Sequence, residues 1–322
     1  MENQQHMNKS NQDSARWEKD VLEKLAFSAI KEQKATRRWG VFFKLLSFAY
    51  LSVALAMLAY PRFKEGISYD ESHVAVVDVS GVIMEGEAAD ADAVIEGLRD
   101  AIKDNNTKGV ILNINSPGGS AVQSAYIYQE IRRQKTLHPD LPIYAVVGDM
   151  CASGGYYVAA AADKIFVSPA SLIGSIGVIM NGFGFSNVLE KLGVERRLLT
   201  AGAHKAFLDP FMPVNEQESK HMQSLLNQVH QQFIAAVKEA RGDRLKETPD
   251  MFSGLVWNGE DGVKLGLADG FGSIDSVARD ELGVEEKVNY TPRDELIDRL
   301  AGKFGASFGH AIGTMVKSIN FQ

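Results

Sequence analysis

A single cysteine, Cys151, stands among 322 residues, which excludes an internal disulfide and any zinc site built on several thiolates. There is no CxxC and no HExxH string. Basic charge is not in excess either: 34 Lys and Arg against 41 Asp and Glu leave a net charge of −7, the opposite of the basic surface that nucleic-acid binding requires. GxxxxGK[ST] and GxGxxG are both missing, and with them the usual glycine signatures of a phosphate cradle. What is present, 45% hydrophobic and 23% charged residues, is the composition of an ordinary globular chain. It excludes a disordered polymer, a collagen-like repeat and a polytopic membrane protein.

The charge is unevenly spread. Residues 1–44 carry nine Lys/Arg and six acids, so a head of +3 precedes a body of −10. Between Trp39 and Tyr60 lie 22 residues whose only charge is Lys44, enough at 1.5 Å per residue to match a hydrocarbon core of roughly 30 Å. Aromatic residues cluster at its ends and Pro61 follows, as in an anchored and terminated spanning helix. A cleaved secretory signal ending near Ala54-Leu55-Ala56 and a buried soluble helix are the competing readings. Five Lys/Arg in the 15 residues before Trp39, against Arg62 and Lys64 in the 15 after Tyr60, orient the N-terminus toward the cytoplasm. Everything from Arg62 onward is then expected outside the cytoplasmic membrane. Ser14 to Ala35 has the spacing of an amphipathic helix.

The body alternates strand and helix. His73 to Val79, Gly109 to Asn115, Ile143 to Val147 and Lys164 to Val167 are short β-branched runs, and Ala121 to Lys135 has helical character between the second and third. That order is a βαβ crossover, hence an α/β fold with a parallel sheet. Glu216 to Arg241 carries Met222, Leu225, Leu226, Val229, Phe233 and Val237 at helical spacing, which reads as core packing. The acidic run Glu85 to Asp92 reads as a solvated loop or a helix start.

Seven of the 29 glycines fall between Gly148 and Gly184, and two more close the second strand in Asn-Ser-Pro-Gly-Gly, Asn115 to Gly119. A Pro-Gly-Gly turn ahead of a helix exposes backbone N–H groups. An oxyanion hole is one use for them, and a plain strand-to-helix turn is the structural alternative. In the segment Gly148 to Phe166, Ser153 sits where a small-residue helix Gly154 to Ala162 begins. Its hydroxyl is either an N-cap or a nucleophile whose oxyanion the Gly154 N–H and the helix end would stabilise. Cys151 is the rival nucleophile, and its favoured reading is a small buried side chain.

A serine nucleophile needs a base. None of the seven histidines (His6, His73, His138, His204, His221, His230, His310) lies in a recognisable triad setting. A lysine base must be desolvated, because lowering its pKa from ~10.4 to about 7–8 corresponds to roughly 4 kcal/mol. Lys205, flanked by small and apolar residues, is one candidate, and His204 beside it is the alternative.

Taken in order, NSPGG, ASGGYY with AADKIF, GSIGVI at Gly174 to Ile179, GAHK at Gly202 to Lys205 and LVWNGEDGVKLGLADGFG at Leu255 to Gly272 resemble the signal peptide peptidase A family of Ser–Lys proteases. The resemblance spans roughly His73 to Ile274 and implies a ClpP/crotonase-like fold. It implies Ser153 as nucleophile, Lys205 as general base, Ser175 as the residue that orients the lysine, and the N–H groups of Gly119 and Gly154 as oxyanion hole. No metal or other cofactor is implied. It further implies peptide substrates with small apolar side chains such as remnant signal peptides, the cytoplasmic membrane as location, and a homo-oligomeric ring whose protomers share active sites. No nucleic-acid partner is expected. The expected organisation is a cytoplasmic head over residues 1–38, an anchor over 39–60, a peptidase domain over 72–285 and a C-terminal helical extension over 286–322. The rival reading is a membrane-anchored oligomeric scaffold that keeps the fold without hydrolysis.

Overall fold

The computed structural model describes residues 37–53, 55 and 71–292, and its contacts divide the chain into two units, Met1–Ser68 and Tyr69–Gln322. In the first unit residues 37–53 are helical and exposed, with Trp39, Phe42 and Phe43 in mutual ring contact. Among the described residues no helix is long and apolar enough to cross a membrane. The expected anchor runs on to Tyr60, and residues 54 and 56–60 lie outside the described set, as do the amphipathic stretch 14–35 and everything after residue 292.

The second unit is a mixed α/β body. Its strands are β1 (His73–Ile83), β2 (Thr107–Gly119), β3 (Ile143–Ala152), β4 (Lys164–Val167), β5 (Leu172–Gly174), β6 (Val256–Asn258), β7 (Gly270–Phe271) and β8 (Lys287–Asn289). They run in the order β6-β5-β3-β2-β1-β8, with β4 on β3 and β7 on β4. Every pairing is parallel except β5 with β6. The helices are α1 (Ala91–Lys103), α2 (Ala121–Leu137), α3 (Gly154–Ala160), α4 (Ser186–Lys191), α5 (Glu216–Arg241), α6 (Gly259–Lys264) and α7 (Ile274–Asp280). The expected βαβ crossover is present as β2–α2–β3, and β1–α1–β2 precedes it. Helix α1 starts where the acidic run ends, Asp90 accepting from the Asp92 N–H as its N-cap. The sheet core is the aliphatic set the strands supply, among them Val77, Leu112, Ile114, Ala145 and Ile165, all fully buried.

Three of the expected strands are longer than their β-branched runs. β1 continues to Ile83 and β2 through Pro117 to Gly119, because pairing resumes as Val82 with Gly118 and Ile83 with Gly119 after an irregularity between Ser80 and Val82. The Pro-Gly-Gly string is therefore paired backbone beside a bulge, a position that tolerates proline, and the turn proper is Ser120, which caps α2 by accepting from the Gln123 N–H. β3 likewise runs on to Ala152 by changing partners, as described below. The apolar stripe of α5 is also corrected: Phe233, Ala236 and Val237 are buried, but Met222, Leu226 and Val229 are only half-buried and Leu225 is exposed. Only the C-terminal half of the helix meets the sheet core.

That half ends on Arg241, fully buried, whose guanidinium donates to both oxygens of Asp269 at 2.7 and 3.0 Å and to the Gly266 carbonyl at 2.8 and 3.0 Å. Burial opposes ionisation of Asp269, but the hydrogen bonds and charge of Arg241 outweigh it and hold the carboxyl below its usual range. Glu130 is held well below that range mainly by its Arg133 hydrogen bond, with Arg99 and Gln134 adding to it against burial. Lowered folded-state values mean that these groups add stability above the ordinary carboxylate range near ~4, and that the contribution is lost as pH falls below it. Denaturant midpoints are expected to hold level from neutrality to about pH 5 and to drop below about pH 4; a midpoint that rises on acidification contradicts the sign. Arg241→Ala is expected to cost about 3 kcal/mol, the low end for a broken buried pair, because Arg244 remains 3.4 Å from Asp269.

Candidate active site

The sheet forks at β3. Tyr144 to Val146 pair with Lys164 to Phe166 of β4, whereas Met150 to Ala152 pair with Leu172 to Gly174 of β5. The next residues after the paired ends of β3 and β5 are Ser153 and Ser175, so this second pairing brings the expected nucleophile and the expected lysine-orienting serine to adjacent strand ends. Both adopt positive φ, 52° and 51°, where a side chain is disfavoured and the backbone stores about 1–3 kcal/mol of strain per residue. The surroundings over-determine both conformations. The Ser153 N–H donates to the Gly174 carbonyl at 2.8 Å and the Ser175 N–H to the Leu255 carbonyl at 2.7 Å. Helix α3 then begins at Gly154, and Ser153 occupies its N-cap position without any side-chain capping bond. The hydroxyl of this half-buried residue is thus not spent on capping.

Gly118 and Gly119 pack on this corner. Gly118 has φ 95°, and a Cβ there would lie 2.6 Å from the Gly154 nitrogen and 2.8 Å from both the Ala152 carbonyl oxygen and the Ser153 Cβ. A Cβ on Gly154 would lie 3.3 Å from the Gly119 nitrogen and would collide with Ser124 Oγ. The Gly119 and Gly154 amides therefore share one neighbourhood, at the positive end of α3, whose first-turn N–H groups lack intrahelical partners. Fully buried Ser116 holds the glycine corner, its hydroxyl donating to the Gly81 carbonyl at 2.6 Å and accepting from the Gly118 N–H at 3.1 Å. Cys151 is fully buried and burial pushes its thiol up, so it is a protonated packing residue rather than the nucleophile.

Lys205 is placed differently. It lies on an exposed turn, its N–H donating to the Gly202 carbonyl at 3.2 Å. Among the described residues no hydrogen bond or ion pair reaches its ammonium, and none joins it to Ser153 or Ser175. His204, the alternative base, has Nδ1 3.3 Å from Glu218 Oε1. Between residues 180–215 and the first half of α5 lies a cavity of about 950 Å³, lined by Phe183, Phe211, Met212, Met222 and Leu226 among others. Two residues of the half-buried stripe of α5, Met222 and Leu226, thus face this cavity.

Several residues that hold the corner have no distinguishing pattern in the sequence. His230 Nε2 donates to the Ile176 carbonyl at 3.0 Å, fastening α5 to the residue after Ser175. Trp257 packs its indole on Gly174, where a Cβ would come within 2.9 Å of its Cδ1. Both are distant in sequence from what they hold. Ser116 lies inside NSPGG, where proline and glycine carry the local signal and a serine hydroxyl passes for an ordinary strand residue.

A strained serine at a strand-to-helix corner, faced by glycine amides, is an arrangement for acyl transfer. A family model described as peptidase family S49 matches residues 135–288, and one described as Clp protease matches residues 72–173. A protein of Methanocaldococcus jannaschii named as a protease is 32% identical over 230 residues, 70% of this chain and 72% of that one. The chain belongs to peptidase family S49. An Enterococcus faecium protein named as a signal peptide peptidase is 36% identical over 191 residues, 59% of this chain and 55% of its own length. A Brucella abortus protein named as a Na⁺/H⁺ antiporter is 36% identical over 88% of this chain but only 39% of its own length. The chain thus spans about two fifths to about half the length of these last two relatives, and the transport named for the Brucella protein is not carried over to it.

Proposed function

We propose that the chain is a membrane-anchored serine endopeptidase that cleaves remnant signal peptides or similar apolar peptides. Ser153 is the nucleophile, Lys205 its general base, Ser175 the partner that orients the lysine, and the Gly119 and Gly154 N–H groups the oxyanion hole. The observation that carries this reading is Ser153 itself: strained at φ 52°, uncapping, and at the corner where Gly118 and Gly119 pack on Gly154. Neutral Lys205 Nζ removes the Ser153 hydroxyl proton as Oγ attacks the scissile carbonyl. The tetrahedral oxyanion, held by the two amides, collapses to an ester as the lysine passes its proton to the departing amine. Water, activated by the same lysine, then hydrolyses the ester.

A base of this kind must be desolvated, and Lys205 is exposed in the single chain. The segment that carries it is unusually apolar on its surface: Ile179, Phe183, Leu199 and Val214 are 82, 82, 99 and 83% exposed. Exposed apolar surface of that extent is what an interface covers, and a neighbouring protomer in a homo-oligomeric ring would bury the segment and dehydrate the lysine. Residues 39–60 serve as the anchor in this reading, with the N-terminus cytoplasmic and the catalytic body outside, as the basic bias before Trp39 supports. The exposure of Lys205 is also the observation that favours the rival, a non-hydrolytic scaffold.

With a fluorogenic peptide of small apolar residues in detergent, Lys205→Ala is expected to lower turnover by about 10³–10⁴-fold, and wild-type turnover per chain to fall on dilution through the assembly range. Equal turnover in wild type and variant would overturn the dyad. No turnover by wild type at any concentration, on a panel of signal-peptide sequences, would favour the scaffold. A reporter fused after Gln322 is expected to be active only outside the cytoplasm, and cytoplasmic activity would overturn the orientation.

A further inference from the structure

Lys205 lies on a turn that is fastened at both ends by one carboxylate. Glu218, in the first turn of α5, places Oε1 3.3 Å from His204 Nδ1 and accepts the Leu208 N–H on Oε2 at 3.2 Å. The two anchored residues bracket Lys205, one immediately before it and one three residues after. Leu208 stands at φ 54°, one of three described non-glycine residues with positive φ, the other two being Ser153 and Ser175. The turn between them is tightly wound: the Lys205 N–H donates to the Gly202 carbonyl, that of Phe207 to His204 and that of Asp209 to Ala206. The Glu218 side chain is 13% exposed and forms part of the cavity wall. Its own backbone is fixed, the Glu218 N–H donating to Asn215 Oδ1, the N-cap of α5. The first turn of α5 thus presents a side chain on anchored backbone to the turn that carries Lys205.

We propose that Glu218 is a positioning residue for the general base: by gripping His204 and the Leu208 amide it sets the course of the backbone through Lys205 and hence where the lysine is presented. The proposal rests on the reading of Lys205 as the base. It assigns His204 to the clamp, as one of its two arms, and not to proton transfer. Because Glu218 acts on the geometry of the base and not on peptide binding, its loss falls on kcat. A misplacement of the base by about 1 Å is enough for a loss on the order of 10²-fold.

The test uses the full chain in detergent with the fluorogenic peptide, and compares wild type, Lys205→Ala, Glu218→Ala, Glu218→Gln, His204→Ala and the double variant His204→Ala/Glu218→Ala. Glu218→Ala is expected to lower kcat by about 30-fold with KM changed by no more than about twofold. Glu218→Gln is expected to recover part of that loss, since its amide oxygen still accepts the Leu208 N–H. His204→Ala removes a single arm and is expected to lose less than Glu218→Ala, and the double variant no more than Glu218→Ala alone, as for groups in one network. If Lys205→Ala is inactive while Glu218→Ala keeps wild-type kcat, the clamp is overturned and the base assignment stands. If Lys205→Ala retains wild-type turnover, the base assignment falls and the clamp with it. A lowered melting temperature in Glu218→Ala with unchanged kcat for the folded protein would reduce Glu218 to a structural cap and overturn the proposal.

Discussion

Ser153→Ala is expected to lower kcat/KM by about 10⁴-fold or more, the scale of removing a nucleophile from a concerted site, with the fold intact. Ser153→Gly is expected to be equally inactive and yet more stable than the alanine variant by about 1 kcal/mol. The two substitutions separate chemistry from strain. Both remove the hydroxyl, but only glycine is at ease at φ 52° and ψ −123°, whereas alanine inherits the disfavoured conformation. The strain has a structural origin: the fork of β3 and the Ser153 N–H bond to Gly174 leave the chain one residue in which to turn from strand into helix. Peptide hydrolysis and urea denaturation on the same preparations check both parts. Identical stability of the two variants would contradict the strain argument, and activity in either within about 10²-fold of wild type would contradict the assignment of Ser153.

The second large effect is expected at Gly118. A methyl group there would press on the Gly154 nitrogen, the Ala152 carbonyl oxygen and the Ser153 Cβ, all within 2.8 Å. Two of these are backbone and cannot swing away, and φ 95° disfavours any side chain. Gly118→Ala must therefore push β2 away from the Ser153–Gly154 corner. That movement separates the two amides proposed to hold the oxyanion, and loss of one such donor alone typically costs about 10²–10³-fold in kcat. We expect at least that loss, together with about 1–3 kcal/mol of destabilisation. Gly182→Ala is the control, because a Cβ there meets nothing within 4 Å. Gly118→Ala with wild-type kcat would mean that the glycine corner is not part of the catalytic machinery.

Local features of the fold are legible in the chain itself. The β-branched runs mark β1 to β4, helical spacing marks α2 and α5, and Ser153 stands out at a strand-to-helix boundary among small residues. Features that depend on register are not legible. Pro117-Gly118-Gly119 looks like a free turn in one dimension, and only the resumed pairing of Val82 and Ile83 with Gly118 and Gly119 makes it strand. The fork at β3, which brings Ser175 beside Ser153, arises from β3 exchanging β4 for β5 as partner, and no single segment encodes that exchange. The grip of Glu218 on the lysine turn and of His230 on Ile176 spans 10 to 54 residues and involves side chains that look like ordinary helix surface. The solvent exposure of Lys205 is the least legible of all, because its small and apolar neighbours give a local impression of burial that the folded chain does not provide.

Everything proposed for this site depends on Ser153 being an activated nucleophile. The most direct test is to treat the detergent-solubilised full chain with a serine-reactive phosphonate and locate the adduct by peptide mass spectrometry, with Lys205→Ala alongside. A single adduct is expected on the peptide containing Ser153 in the wild type, with strongly reduced labelling in Lys205→Ala. An adduct on another residue, or equal labelling of Ser153 with and without Lys205, would contradict the assignment.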